Sequence, residues 1–201
     1  MSQALTHDEL SPAEASDDRT MFGFWLYIMT DLLMFAVLFA VFAVLRDSTD
    51  GGLGASDLLS MDLALVNTLL LLTSSFTIGI GMLAAWQKNQ KQVMIWFGAT
   101  FLLGLAFVGV ELFEFYELVH AGHTMQSNAF LSSFFILLGS HGLHIVSGLI
   151  WLAVTLAYVA KRGLTRSNIR KLALISLFWH FLDIVWIFIF SVVYLIPFIG
   201  A

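Results

Sequence analysis

An all-α integral membrane bundle of five transmembrane helices is the fold class this chain predicts, with a cytoplasmic N-terminus and a periplasmic C-terminus. Three observations predict it. Of 201 residues, 59% are hydrophobic and only 11% charged, too little polar surface to cover a soluble domain of this size. Five apolar stretches reach the length of about 20 residues that a bilayer demands of a helix. Finally, Lys and Arg are distributed on one side of the resulting serpentine.

Residues 1–21 read as a polar cytoplasmic tail, carrying Asp8, Glu9, Glu14, Asp17 and Asp18 against Arg19 alone. No apolar core of a cleavable signal peptide is present in it, so the first spanning helix is expected to direct insertion. Residues 22–198 form the membrane domain. Its spans fall at Phe22–Leu45, Leu63–Trp86, Val93–Leu118, Phe130–Ala160 and Leu172–Phe198. The last two exceed the minimum and are expected to tilt or emerge into the headgroups. Backbone groups in lipid must bond internally, and runs this long and continuous do so as helices rather than barrel strands. The only prolines, Pro12 and Pro197, lie outside the spans or at the end of one, so no proline kink is expected. No internal repeat is evident, and an odd number of spans argues against a duplicated transporter.

The loops set the orientation. The first carries Arg46 as its one basic residue, and the third carries none. The second has Lys88 and Lys91; the fourth has Lys161, Arg162, Arg166, Arg170 and Lys171. With Arg19, eight of the nine basic residues fall on one side, which the positive-inside rule makes the cytoplasm. The net charge of −5 offers no basic surface for nucleic acid. The absence of cysteine removes disulfides, iron–sulfur clusters, thiolate copper centres and covalently attached haem.

Seven ionisable residues lie at bilayer depth: Asp31, Glu111, Glu114, His141, His144, His180 and Asp183. A charge there costs about 2.5–3.5 kcal/mol on insertion scales, so each needs a reason. Counting helical rise puts Asp31, His141, His144, His180 and Asp183 near mid-membrane and Glu111 and Glu114 closer to the outer face. The pairs Glu111 and Glu114, His141 and His144, and His180 and Asp183 are each three apart, one face of a helix apiece. Gly139, Ser140, Gly142, Ser147 and Gly148 flank the histidines and allow a neighbouring backbone to come close. Three readings are compatible with these spacings. The residues form an interhelical polar network that holds the bundle together; or they bind haem or metal, as His144 with His180, or as Glu-x-x-Glu facing His-x-x-His; or they relay protons or ions, as in a transporter. Trp86 and Trp96 fit an interfacial belt, while Trp179 and Trp186 share a face with Asp183 and suit packing, with indole N–H donation as a further use.

Four segments, in order, carry a resemblance: Gly23-Phe-Trp-Leu-Tyr-Ile-Met-Thr-Asp31, Glu111-Leu-Phe-Glu-Phe115, Gly139-Ser-His-Gly-Leu-His144 and Phe178-Trp-His-Phe-Leu-Asp-Ile-Val-Trp186. Together they resemble subunit III of the haem–copper terminal oxidases. The five spans and the loop Lys161-Arg-Gly-Leu-Thr-Arg-Ser-Asn168 look most like the cytochrome o ubiquinol oxidase branch. The resemblance implies a non-catalytic subunit without a redox centre, in the bacterial inner membrane. Haems and copper are then expected in subunit I, which reduces dioxygen to water and pumps protons. Subunit I is implied as the main partner, with subunits II and IV in the same complex and phospholipid bound in a cleft beside the first two spans. Thr30 and Asp31 match the Ser/Thr–acid pair of the family's first shared helix and mark a candidate face toward subunit I. The alternatives kept beside this reading are subunit III of a related cytochrome c oxidase, an ion-coupled transporter and a b-type cytochrome anchor.

Overall fold

The computed structural model describes residues 12–51, 54 and 58–199, with side chains from Arg19 onward. Five helices in it are long and apolar enough to cross a membrane. They are α1 (Pro12–Leu45), α2 (Met61–Trp86), α3 (Gln90–His120), α4 (Ala129–Arg162) and α5 (Arg166–Ile189). No strand occurs among the described residues.

The first helix starts ten residues before the apolar run. Residues 12–21, expected as part of the tail, are helical, because a proline at the first helical position lacks an N–H that would have no partner there anyway. Residues 1–11 of the expected tail lie outside the described residues. The remaining starts are set by short polar caps. Asn89 accepts from the Gln92 N–H (3.3 Å), Asn128 from Leu131 (2.8 Å) and Thr165 from Asn168 (3.2 Å), each meeting one donor the helix leaves open. Gly163, at φ 70°, ends α4 in a backbone conformation that a side chain would strain.

The far end of α5 departs from expectation. The helix continues as a π-helical turn over Phe190–Leu195 and a last α-turn over Ile196–Ile199, so the whole span runs Arg166–Ile199. Pro197 has no N–H, and in a regular α-helix its ring would press on the carbonyl four residues back. Widening the preceding turn relieves that pressure, so the proline acts as a bulge rather than a kink.

Two sets of contacts define the ends of the bundle. Phe130 N–H donates to Ser48 O (3.2 Å) and Asn128 Nδ2 to Thr49 O (3.5 Å), joining the first and third loops. Gln90 Nε2 donates to Val159 O (3.0 Å), joining the second and fourth. The eight basic residues named above therefore gather at one end, and Arg46 lies at the other. The closest pairing is α2 with α3; α4 packs on α3 and α5, and α5 on α2, closing a four-helix ring. Outside it, α1 packs on α4 and more lightly on α5. Only 22% of its most apolar stretch is buried, against 39% for α5. Phe22, Leu26, Leu33, Val37 and Val44 form its outward apolar stripe.

Lipid is as apolar as the core, so close fit rather than water exclusion holds such a bundle together. Trp179 shows how the fit is made. Fully buried, it lies over Gly104 of α3 and Gly148 of α4 and donates its indole N–H to Ser74 Oγ of α2 (2.9 Å). One ring thereby ties α5 to three neighbours.

Candidate functional site

The seven ionisable residues separate into three groups and one solitary imidazole. Asp31 and His144 meet between α1 and α4, with Asp31 Oδ2 3.6 Å from His144 Nε2. His144 Nδ1 lies 2.7 Å from the Ser140 carbonyl. A carbonyl only accepts, so Nδ1 carries the hydrogen, and the second imidazole nitrogen is the one presented to Asp31. An acid and an imidazole set face to face limit the cost of holding either in the membrane. Thr30, next in sequence, faces the other way. It is exposed on the outer stripe of α1, its hydroxyl donating to Tyr27 O (2.7 Å).

The second group joins α5 to α2. His180 Nδ1 is 2.8 Å from Ser75 Oγ and 3.6 Å from Asp183 Oδ2. Asp183 is buried, but the His180 side chain is 43% exposed, so this imidazole reaches the rim of the bundle rather than its interior. His144 faces α1 and His180 faces α2, so the structure does not bring them together as a facing pair.

The third group is acidic. Glu114 Oε2 accepts from the Tyr194 hydroxyl (3.1 Å), which the π-helical turn carries into the bundle. Glu111 lies against Gly142 of α4: a Cβ there would stand 3.0 Å from Glu111 Oε2. Of the small residues flanking the histidines, Gly142 and Gly148 make the close approaches. Nothing lies near a Cβ on Gly139, and Ser147 is exposed. Glu111 thus sits level with Gly142, the neighbour of His141. Helical side chains lean toward their own N-terminus, so Glu111 leans toward mid-membrane while the antiparallel α4 leans its residues outward.

His141 is fully buried and has no hydrogen-bond partner on either ring nitrogen among the described residues. Aromatic rings surround it, with centroids at 5.4 Å (Trp186), 5.9 Å (Phe107) and 6.3 Å (Phe35). Trp186 donates in turn to Thr68 Oγ1 (3.0 Å). Among the described residues no three His, Asp or Glu side chains converge as a metal-ligand group. What the arrangement supplies is contact between polar side chains of neighbouring helices.

Several polar residues not singled out from the sequence belong to these contacts, Thr68, Ser74, Ser75 and Tyr194, and Asn67 is a further buried polar side chain. Asn67 is fully buried. A buried amide inside an apolar run was the available signal, since it needs a reason to be there almost as much as a charge does.

The family model described as cytochrome c oxidase subunit III matches residues 12–197. The chain belongs to that family, the third subunit of haem–copper oxidases. It is 50% identical over 183 residues to the cytochrome bo(3) ubiquinol oxidase subunit 3 of Pseudomonas aeruginosa, covering 91% of this chain and 88% of the relative. It is 45% identical to the quinol oxidase subunit 3 of Bacillus subtilis over 173 residues (86% and 85%). With the cytochrome c oxidase subunit 3 of Bacillus sp. strain PS3 it shares 44% over 178 residues (89% and 86%). Five apolar helices and bacterial relatives identify a multi-pass protein of the bacterial inner membrane.

Proposed function

We propose that this chain is the non-catalytic third subunit of a proton-pumping cytochrome o-type ubiquinol oxidase, packed on subunit I beside subunits II and IV. Quinol oxidation and dioxygen reduction belong to the haem- and copper-bearing partner. The observation that carries the reading is the end-to-end identity of 50% with a bo(3) ubiquinol oxidase subunit 3. The geometry supports it: His144 and His180 are engaged by carboxyl or hydroxyl partners within the chain, as befits a scaffold.

The outer stripe of α1, with Thr30 exposed within it, is the face toward subunit I. Phospholipid fills the cleft beside α1 and α2, which are not paired in the ring. The basic end of the bundle lies in the cytoplasm, and the N-terminus with it, as the positive-inside rule requires. Residues 22–198 form the membrane domain, preceded by the polar tail 1–21.

Purification of the tagged chain in mild detergent tests the assignment. It is expected to bring down a larger haem-bearing subunit with ubiquinol oxidase activity. Recovery of the chain alone, or with a haem of its own, would overturn the reading.

The Asp31 and His144 pair supports a second role, keeping the proton-entry side of the complex in working order. Replacing Asp31 by Asn removes the carboxyl group that faces the His144 imidazole. The variant oxidase is expected to lose activity faster during turnover than its parent. Identical decay curves would remove this role and leave the pair as interhelical packing.

A further inference from the structure

At the end of the bundle formed by the first and third loops, a crevice of about 200 Å³ opens between α2 and α3, lined by Ser60, Leu63, Glu114, Glu117, Leu118 and His123 among others. Glu114 stands at its inner limit. It is only 4% exposed, and while Oε2 is held by Tyr194, Oε1 has no hydrogen-bond partner among the described residues.

One helical turn further in lies a layer of buried polar atoms in the same condition. They are both amide atoms of Asn67, Glu111 Oε1 and both ring nitrogens of His141. Measured contacts place them at one level. The 2.8 Å bond between Thr77 and Thr100 fixes the antiparallel register of α2 and α3. Ten residues from each side of that bond, Asn67 comes level with Val110, next to Glu111. Glu111 lies on Gly142, beside His141, and the His141 ring lies tilted against Trp186, whose N–H reaches Thr68, next to Asn67. Elsewhere in the bundle the unpaired carboxylate oxygens of Asp31 and Asp183 belong to side chains that face an imidazole at 3.6 Å. In this layer no such ion pair is found among the described residues. Hydrocarbon cannot satisfy such groups, and buried polar atoms in proteins find partners. Water does so where a site offers two to four polar neighbours, and Asn67, Glu111 and His141 bring five unpartnered polar atoms to this level.

We propose that the crevice continues inward as a water-filled inlet, running past Glu114 to Asn67, Glu111 and His141 and stopping at Trp186. Its ligand is water, through which Glu114 and Glu111 exchange protons with the outer compartment. Glu117 and His123 stand at the mouth, Asp62 at the exposed start of α2; Tyr194 bonds Glu114 from the end of the last span, and Gly142 of α4, next to His141, lies against Glu111. The outward opening rests on the proposed orientation; the inlet itself rests on the packing.

The chain has no cysteine, so single cysteines can be placed in the assembled oxidase at Leu63, Asn67 and Leu69. Leu69 is 64% exposed on the apolar surface near the depth of Asn67. Only the thiolate reacts with a charged, impermeant methanethiosulfonate, and loss of water suppresses it by at least one pKa unit, about tenfold. Leu63→Cys and Asn67→Cys are expected to react about tenfold faster than Leu69→Cys when reagent is added to spheroplasts. Radiolytic footprinting of the unmodified complex gives a second reading, with Leu63, Leu118 and Trp186 expected to oxidise ahead of Leu69. An unreactive Asn67→Cys together with a protected Trp186 overturns the inlet. Reaction from inverted vesicles alone overturns the outward opening. Co-purification with the haem-bearing subunit, followed on the same samples, reports separately on the assignment as subunit III.

Discussion

Replacing Gly104 by Val is expected to detach this subunit from its complex. A Cβ at Gly104 would stand 2.8 and 3.0 Å from the Trp179 ring and 2.9 Å from a Leu149 methyl. Leu149 can turn aside, but Trp179 cannot. The indole is fully buried, bonded to Ser74, and backed by Gly148 on α4. Relief therefore requires α3 to withdraw from α4 and α5. Overpacking costs about 1–3 kcal/mol in soluble cores, and a bundle held by close fit loses contacts along the whole interface when it opens. Val is placed at the upper end, about 3 kcal/mol, and Ala near 1 kcal/mol. Gly109 on the same helix has nothing within 4 Å of its Cβ position and serves as the control. The measurement is the amount of this subunit retained per haem after purification. Equal retention for Gly104→Val and Gly109→Val would disprove the account of Trp179.

The second large effect belongs to Trp186. Its ring meets Phe107 edge-on (4.8 Å, 89°), covers His141 (5.4 Å) and donates to Thr68 (3.0 Å). Trp186→Ala removes all three and leaves a void among groups already pinned by their neighbours. Such truncations cost about 3–5 kcal/mol in soluble proteins, much of it from the cavity. Trp186→Phe keeps most of the ring and loses mainly the hydrogen bond, worth about 0.6 kcal/mol on average in a membrane bundle. Trp186→Ala should thus fall far below Trp186→Phe in thermal retention of the subunit. Thr68→Val added to Trp186→Phe should cost little more, since the bond it would break is already gone. Similar losses for Ala and Phe would mean that the hydrogen bond, and not the packing, matters.

The five spans were legible because length and continuous apolarity are properties of the chain alone. Pairing was not. The i, i+3 spacing of His180 and Asp183 placed them on one face, but that Ser75 of α2 completes the contact depends on how α2 and α5 cross. That Glu111 meets Gly142 of α4 was not legible either, because a count of residues locates Cα, whereas its carboxylate leans back along α3. Asn67 escaped notice because a search for charges passes over amides, although lipid penalises both. Half-exposed His180 makes the converse point: a titratable residue near mid-span can sit at the rim of a bundle rather than inside it. α1 is helical from Pro12, ten residues ahead of the hydrophobic boundary, where a polar composition gave no sign of it.

The π-helical turn at Phe190–Leu195 has a further consequence. It inserts one extra residue into the winding of the last span, so every side chain beyond it is rotated by about 100° from where an unbroken α-helix would aim it. Tyr194 lies within the turn itself, where the wider winding carries its hydroxyl onto Glu114. Deleting a single residue from the turn would restore a regular pitch yet swing the phenol away from its acceptor, so the irregular winding is what lets the end of the chain lock onto the third helix.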